Sequence, residues 1–381
     1  MTEPVPLSEL TTMRVGGVPA HMVAPENEAE LVDAALRVWG SGDEWMLLGG
    51  GSNTVASDEG FEGTVIRIVT RGITVVPPTP GADRVTLRVQ AGEPWDDLVA
   101  FAVGRGWSGI EALSGIPGSS GAAPVQNIGA YGQELSSSLV AIDFLDYESG
   151  ERRRMEAAEL ELGYRTSVLK RGLRGIVLAI ELELHDTTAE ASVLGSALSR
   201  PVAYDQLAGA LGVQPGDRVP ISALRDTVLA LRASKGMVLD PNDPDTASAG
   251  SFFTNPIVTE RFARSLPASA PRWVVGAENE PADRVIPLSE YAGVGPVPGS
   301  EDVRLVKLSA AWLIENVGIS RGFRLPGSLA AVSSKHTLAL TNTGGASAAE
   351  IAELARYVEG RVVAEFGVLL QPEPVLIGLA L

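Results

Sequence analysis

The chain has 381 residues, 45% of them hydrophobic and 20% charged, with a formal net charge of −17, no cysteine and three histidines. Its length accommodates roughly two or three domains with sizeable cores. The missing cysteines exclude disulfides, thiolate catalysis and zinc–cysteine sites, and the acidic balance argues against a nucleic-acid binder, whose footprint is basic. No apolar run reaches the roughly 20 residues that span a bilayer, and the N-terminal MTEPVPLSEL lacks a basic region followed by an apolar one. These features point to a cytoplasmic protein without nucleic acid, membrane insertion or metal; an anionic ligand would need locally clustered cations.

In chain order, Asn27 with Glu30 marks a helix start, and Leu31, Val32, Ala35, Leu36 and Trp39 form its apolar stripe before Gly40 and Gly42. The spacing predicts a helix over 28–39. Trp45 to Leu48 reads as a short strand running into Gly49-Gly50-Gly51-Ser52-Asn53, and Val65 to Val69 as another strand. Further on, Val85 to Gln90 alternates as a strand, Pro94 suits a first helical position, and Trp95 to Val103 continues that helix. Ser114 to Glu134 (SGIPGSSGAAPVQNIGAYGQE) then forms a long segment rich in glycine and nearly free of charge.

Two glycine-rich segments can bring backbone N–H groups close to a phosphate, although the same composition suits tight turns in a crowded fold. A dinucleotide-binding Rossmann turn opens a helix after its glycines, and a P-loop carries Lys-Ser or Lys-Thr after them. Here a strand follows the first loop and the lysine is missing. Any phosphate cradle therefore belongs to another architecture.

Val140 to Tyr147 and Arg152 to Met155 flank Glu148-Ser149-Gly150-Glu151 as a hairpin, and Gly175 to His185 is an apolar strand, so the N-terminal half is mixed α/β. Ile221 to Ser234 reads as an amphipathic helix ended by Gly236, followed by a polar linker over 240–245; a second domain is expected to begin near 220. Residues 257–303, rich in Pro, Ala, Gly and acids, show little sustained periodicity apart from pieces near Arg261 and Trp273, and much of the segment reads as surface loop. Order returns over Leu308 to Ile314. Ser347 with Glu350 is a capping box for a last helix with the stripe Ile351, Leu354, Val358, Val362 and Phe366, and Val375 to Leu379 reads as a terminal strand.

Candidate chemistry is sparse residue by residue. Ser251 lies between Gly250 and the aromatics Phe252 and Phe253, a dry setting for a proton donor or nucleophile, or simply a turn before a strand. No Gly-x-Ser-x-Gly elbow surrounds it, and His185 and His336 have no acidic partner at a recognisable spacing, so a serine hydrolase is poorly supported. Tyr164-Arg165 reads as a surface pair and Gln371-Pro372-Glu373-Pro374 as a rigid turn; Arg232 and Lys235 close a helix where cations suit the dipole.

In sequence order, however, LTTMRVGGVPA, GGGSN, SGIPGSSGAAPVQNIGAYGQE, YRTSVLK, SAGSFFTNP, KLSAAWLIENVG and QPEP resemble the UDP-N-acetylenolpyruvoylglucosamine reductases, the MurB family, in its type I branch. The resemblance covers nearly the whole chain. It implies an α+β protein with a two-part FAD-binding domain of the vanillyl-alcohol oxidase-like (PCMH) type and a smaller α/β substrate-binding domain. On that basis residues 1–75, joined by 370–381, form the first FAD-binding subdomain, 76–220 the second, and 221–369 the substrate-binding domain. The implied enzyme is a monomeric, NADPH-dependent oxidoreductase acting on a CH–CH bond, with non-covalent FAD. Its substrate is UDP-GlcNAc-enolpyruvate and its product, UDP-N-acetylmuramate, serves peptidoglycan synthesis.

Residue by residue, the resemblance implies that Gly49, Gly50, Gly51, Ser52 and Asn53, with Ile116, Pro117, Gly118, Ser119, Gly121, Ala122, Asn127 and Gly129, hold FAD. It makes Ser251 the proton donor, Arg165 the group that stabilises the enol, and Glu373 the residue that completes the site. Tyr131, Tyr164, Tyr204, Arg232, Lys235, Asn255 and His336 would contact the substrate. The chain departs from the pattern at Gly50, where many members have an acid, at Ser248, where asparagine is usual, and at Val375, where many have an arginine; the 257–303 segment is longer. An oxidase of the same fold with covalent flavin is the competing expectation, but no cysteine exists and neither glycine segment contains histidine. A silent FAD- or nucleotide-binding protein is a third.

Overall fold

The computed structural model describes residues 3–77, 83–275 and 304–381. Strand β1 (Pro19–Val23) leads to helix α1 (Glu28–Ser41), whose start is fixed by the Asn27 side chain accepting from the Glu30 N–H and whose end is the left-handed Gly42. Strands β2 (Trp45–Leu48), β3 (Thr54–Ala56) and β4 (Phe61–Arg67) follow, and β1-β4-β2 make a parallel sheet. Leu31 and Ala35 of α1 pack with Ile66 on one side and with Leu145, Ile176 and Leu178 on the other. The helix thus joins the first sheet to the next.

That next sheet has the order β11-β10-β12-β6-β5, built from β5 (Ile73–Val76), β6 (Arg84–Gln90), β10 (Leu139–Asp146), β11 (Arg152–Glu156) and β12 (Gly175–Asp186), with β7 (Trp107–Ser108) paired to the end of β12. Helix α2 (Trp95–Gly104) covers it, burying Trp95, Leu98 and Val99 against Ile142, Phe144 and Ile180. Pro94 is the cap before α2 rather than its first helical residue, because Ser119 pairs with it as an isolated bridge and holds it extended. The second glycine segment runs over α2 as a 3-10 helix, Ser120–Gln126, and then a small hairpin of β8 (Gly129–Ala130) and β9 (Gln133–Glu134). Helices α3 (Thr188–Leu194), α4 (Asp205–Leu211) and α5 (Ile221–Ala233) follow, and Leu224 and Val228 of α5 share a core with Ala112, Val202 and Leu207.

The remainder builds two small sheets around α8 (Ala348–Phe366). One has the order β13-β18-β17, from β13 (Ser248–Ser251), β17 (Ala330–Val332) and β18 (Ala339–Asn342). The other has the order β14-β16-β15, from β14 (Ile257–Thr259), β15 (Arg272–Val275) and β16 (Leu305–Leu308), with short α6 (Glu260–Ala263) and α7 (Ala310–Asn316) beside them. The segment expected to be largely surface loop is structured over 257–275: its strands are three and four residues long and their shared partner, β16, lies some thirty to fifty residues on, so only short pieces of periodicity near Arg261 and Trp273 announce them. The rest of that expectation, 276–303, lies outside the described residues. The expected linker over 240–245 is also held in place, by Asp243 paired with Lys335 at 2.5 Å and by Asp245 accepting from the Ser334 N–H at 2.8 Å.

Strand β19 (Val375–Ile377) returns to pair in parallel with β3, Val375 opposite Thr54. Met13, Val15 and Val55 pack in the same core as Phe252, Leu313 and Val358. The two ends of the chain are therefore parts of one structure at the site.

Candidate active site

A cavity of about 680 Å³, within the usual range for ligand sites, lies between the two glycine segments and β13. Gly49 to Asn53 follow β2, where the parallel sheet ends, and they face Ile116 to Gly121. The contact is backbone to backbone: a Cβ at Gly50 would lie 2.6 Å from the Gly118 Cα, and Gly118 itself has φ +119°. Two segments can approach this closely only without side chains. The backbone N–H groups of Gly50, Gly51, Ser52, Gly118 and Ser119 have no protein acceptor among the described residues. Such rows of free donors suit phosphate oxygens and need no basic patch, which fits an acidic protein. The cavity continues along β2 to Trp45, where the Arg174 guanidinium lies 5.1 Å from the Trp45 ring and 4.1 Å from that of Tyr147. A flat cationic and aromatic wall of this kind suits a purine base. The cradle, its donors and its size fit a flavin dinucleotide.

Arg165, Ser251 and Glu373 all line the cavity. Gly163 and Thr166 bond to each other across Tyr164 and Arg165, at 3.1 and 3.3 Å, and Arg165 has φ +54°, the position that a type II turn usually gives to glycine. Strain of this order persists where surrounding contacts hold it. Here Arg165 Nη2 donates to the Gly129 carbonyl at 3.3 Å and its Nε lies 3.5 Å from Glu373 Oε1. Glu373 arrives just before β19 and accepts from Gln126 Nε2 at 3.1 Å, while Asn53 Nδ2 donates to Gln126 Oε1 and to the Glu373 carbonyl, both at 3.2 Å. Lys170 Nζ donates to the same two oxygens at 3.3 Å, and burial holds its pKa below the usual lysine value despite the nearby Glu373. Gln126 and Lys170 went unread as site residues. Lys170 closes the YRTSVLK motif and Gln126 sits in the second glycine segment, but their contact with Glu373 spans 203 and 247 positions.

Among the residues expected to hold FAD, Asn127 does not line the cavity: its amide is spent on Glu134, Gly163 and the Ser136 N–H, at 3.0 to 3.2 Å. The others do. Of the residues expected at the substrate, Arg232 lines the cavity, is 9% exposed, and leaves its Nε without a partner, so that a buried cation awaits an anion. Burial is the main cause of its lowered pKa. Tyr131, Tyr204 and Lys235 cluster beside it: the two rings meet edge to face at 5.8 Å, and Lys235 Nζ lies 5.6 Å from the Tyr131 ring. Tyr164 is exposed, with Lys307 over its ring at 4.8 Å. Asn255 accepts from the Ala310 N–H at 3.0 Å and so fixes the start of α7. His336 Nε2 lies 3.3 Å from Ser251 Oγ.

Known proteins place these features. Residues 19–156 match the family model "FAD binding domain", and residues 241–377 match "UDP-N-acetylenolpyruvoylglucosamine reductase, C-terminal domain". The UDP-N-acetylenolpyruvoylglucosamine reductase of Leifsonia xyli is 61% identical over 384 aligned positions, covering 100% of both chains, and that of Saccharopolyspora erythraea is 47% identical, covering 98% of this chain and 95% of the relative. The crystal structure of the Thermus caldophilus enzyme of that name superposes over 99% of both chains with a TM-score of 0.61 at 25% identity. The chain belongs to the UDP-N-acetylenolpyruvoylglucosamine reductase family.

Proposed function

We propose that this chain reduces the enolpyruvyl double bond of UDP-GlcNAc-enolpyruvate with NADPH and non-covalent FAD, giving UDP-N-acetylmuramate for peptidoglycan synthesis. The observation that carries this reading is the convergence on one cavity of both glycine segments with Arg165, Ser251 and Glu373, residues spread from position 49 to position 373. In the proposed division, residues 1–75 with 370–381 and residues 76–220 form the two walls of the flavin site, and 221–369 the substrate side. Strand β5 lies across the first joint, and α5, just past the second, packs on the flavin side while carrying Arg232 toward the substrate. The reading is completed by a monomer that works in the cytoplasm, where NADPH and UDP-sugars are available. Among the described residues no helix is long and apolar enough to cross a membrane.

The chemistry supplied by bound FAD is two-electron transfer, from NADPH to the enolpyruvyl double bond. Hydride added to one carbon of that bond leaves an electron pair on the other, beside the carboxylate, as an enolate. Arg165 offers planar, fixed donors to this growing charge, the kind of stabilisation that is often the largest catalytic contribution. Glu373 lies against the Arg165 guanidinium and is itself fixed by Gln126. Arg232 would take the substrate's diphosphate, its free Nε gaining the acceptor that it lacks. Ser251 then gives its hydroxyl proton to the enolate carbon: the Oγ–H bond breaks as a C–H bond forms, and the serine oxygen regains a proton from water.

The test is anaerobic. The yellow protein is reduced with NADPH, UDP-GlcNAc-enolpyruvate is added, and the return of flavin colour is followed. Wild type regains its colour. Ser251→Ala is reduced at the wild-type rate but reoxidised about 10²–10⁴-fold more slowly, the range for loss of a general acid. Colour that never returns in wild type would overturn the substrate, and equal reoxidation of the variant would overturn the role of Ser251.

A further inference from the structure

Ser251 ends β13 and lines the cavity, whereas His336 is not part of the lining and sits behind it. Their 3.3 Å contact is set by the backbone. Ser251 is in register with Ala339 of β18, the Phe252 N–H donates to the Leu338 carbonyl at 2.7 Å, and the turn that carries His336 is closed by its own N–H donating to Ser333 Oγ and by its carbonyl accepting from Ala339. Two strands and a turn therefore hold imidazole against hydroxyl before any ligand arrives.

We propose that His336 is a positioning residue for the proton donor: its Nε2–H donates to Ser251 Oγ, turns the hydroxyl proton toward the cavity, and holds the negative oxygen left when that proton departs. This deepens the reading of Ser251 as the proton donor, on which it rests. A hydroxyl has one proton. Were Nε2 bare, Ser251 would donate to it and its proton would point away from the substrate. With Nε2 protonated, the serine oxygen is the acceptor, its proton is free to face the enolate, and the N–H···O bond strengthens as charge builds on the oxygen.

The electrostatic setting keeps the imidazole neutral, with a single N–H to place. Burial first, and then Lys235 after α5 and Arg321 after α7, hold its pKa down to about 4. No carboxylate offsets them or pairs with His336 among the described residues, and Glu315 on α7 accepts instead from Thr337 Oγ1 at 2.6 Å. A positive imidazolium at this place would be a competing acid; a neutral one can only orient and stabilise. The role differs from that of a substrate contact, which would act on binding.

Two measurements test this. First, anaerobic reduction by NADPH and reoxidation by UDP-GlcNAc-enolpyruvate are followed in wild type, His336→Ala, His336→Gln, Ser251→Ala and the double variant Ser251→Ala/His336→Ala. All five are reduced by NADPH at similar rates, which reports an intact flavin site. His336→Ala slows reoxidation at saturating substrate by about 10²-fold, the scale for one lost donor to a developing anion, without raising the substrate concentration at half-saturation. His336→Gln, which keeps an N–H, recovers most of the rate. In the Ser251→Ala background the loss of His336 adds nothing, because the two act as a unit. A higher half-saturation with an unchanged saturating rate, or a full additional loss in the Ser251→Ala background, would overturn the positioning role. Wild-type reoxidation by Ser251→Ala alone would instead overturn the proton-donor reading beneath it. Second, ¹⁵N-histidine NMR, feasible with three histidines, should show His336 neutral and protonated on Nε2 between about pH 5 and 8; protonation on Nδ1 would overturn the proposal.

Discussion

Arg165 occupies a left-handed backbone position at the tip of a two-residue turn, where a residue with a Cβ costs roughly 1–2 kcal/mol. Its side chain faces Gly129 and Glu373 in the cavity, so the strain and the proposed catalytic role fall on the same residue. Stability and activity should therefore separate. Arg165→Ala keeps the strained backbone and loses the guanidinium contacts, while Arg165→Gly loses the same contacts and relieves the strain. Urea titration should find the glycine variant more stable than the alanine variant by about 1 kcal/mol, while both reoxidise with substrate at least about 10²-fold more slowly than wild type. An alanine variant as stable as the glycine variant would show that the turn is unstrained. At this same scale, motifs far apart in the sequence pointed to Ser251, Arg165 and Glu373, and all three line one cavity. The sequence was not readable at Gln126 and Lys170, which meet a residue delivered by the far end of the chain: Gln126 donates to the Glu373 carboxylate and Lys170 to its backbone carbonyl. Asn127 shows the converse: it sits in the right segment, but its left-handed φ of 43° closes the 3-10 helix and turns its amide into the protein.

Elements that are specified by neighbours in sequence were the legible ones. Ser347, Glu350 and Gly367 bound α8 as the capping box and glycine stop indicate, and Asn27 with Gly42 does the same for α1. Strands β14 and β15 left at most a short periodic piece, near Trp273, because each makes its hydrogen bonds to β16, far along the chain, and exposes much of its apolar surface, including Trp273 and Val274. The two glycine segments were legible as candidates for a phosphate cradle but not as partners of each other. Their pairing yields a graded prediction. A Cβ on Gly50 would meet backbone, 2.6 and 2.9 Å from Gly118 Cα and C, which cannot yield; one on Gly49 would meet the Ser119 hydroxyl at 2.4 Å, which can rotate away. Gly50→Ala should cost about 1–3 kcal/mol of stability, the scale of overpacking, and weaken FAD binding measured by flavin fluorescence. Gly49→Ala should lie nearer wild type in both. Equal losses would mean that the loops do not pack backbone to backbone.

Across the whole molecule, the segment that carries the first glycine loop is bound both to the C-terminal sheets and to the larger sheet. Val55 shares a core with Phe252 and Val358, and Asn342 Nδ2 donates to the Met13 and Arg14 carbonyls at 3.2 and 3.1 Å. Asp58 caps the N-terminus of α8 through the Ala348 and Ala349 N–H groups, and β19 returns to β3. On its other side, α1 is packed between Ile66 of the parallel sheet and Ile176 and Leu178 of the larger one. A cofactor held between Gly49–Asn53 and Ile116–Gly121 thus bridges parts that are already joined by apolar contacts, so it adds stability without being what unites them. Free FAD at about 1,000 times its dissociation constant should add about 4 kcal/mol by mass action. Removing it should lower the midpoint of thermal unfolding while leaving one cooperative transition, with equal calorimetric and van't Hoff enthalpies. Differential scanning calorimetry of the apo and FAD-loaded protein decides the point: two resolved transitions in the apo protein would mean that the flavin, rather than the packing of Val55, Asp58 and α1, is what joins the parts.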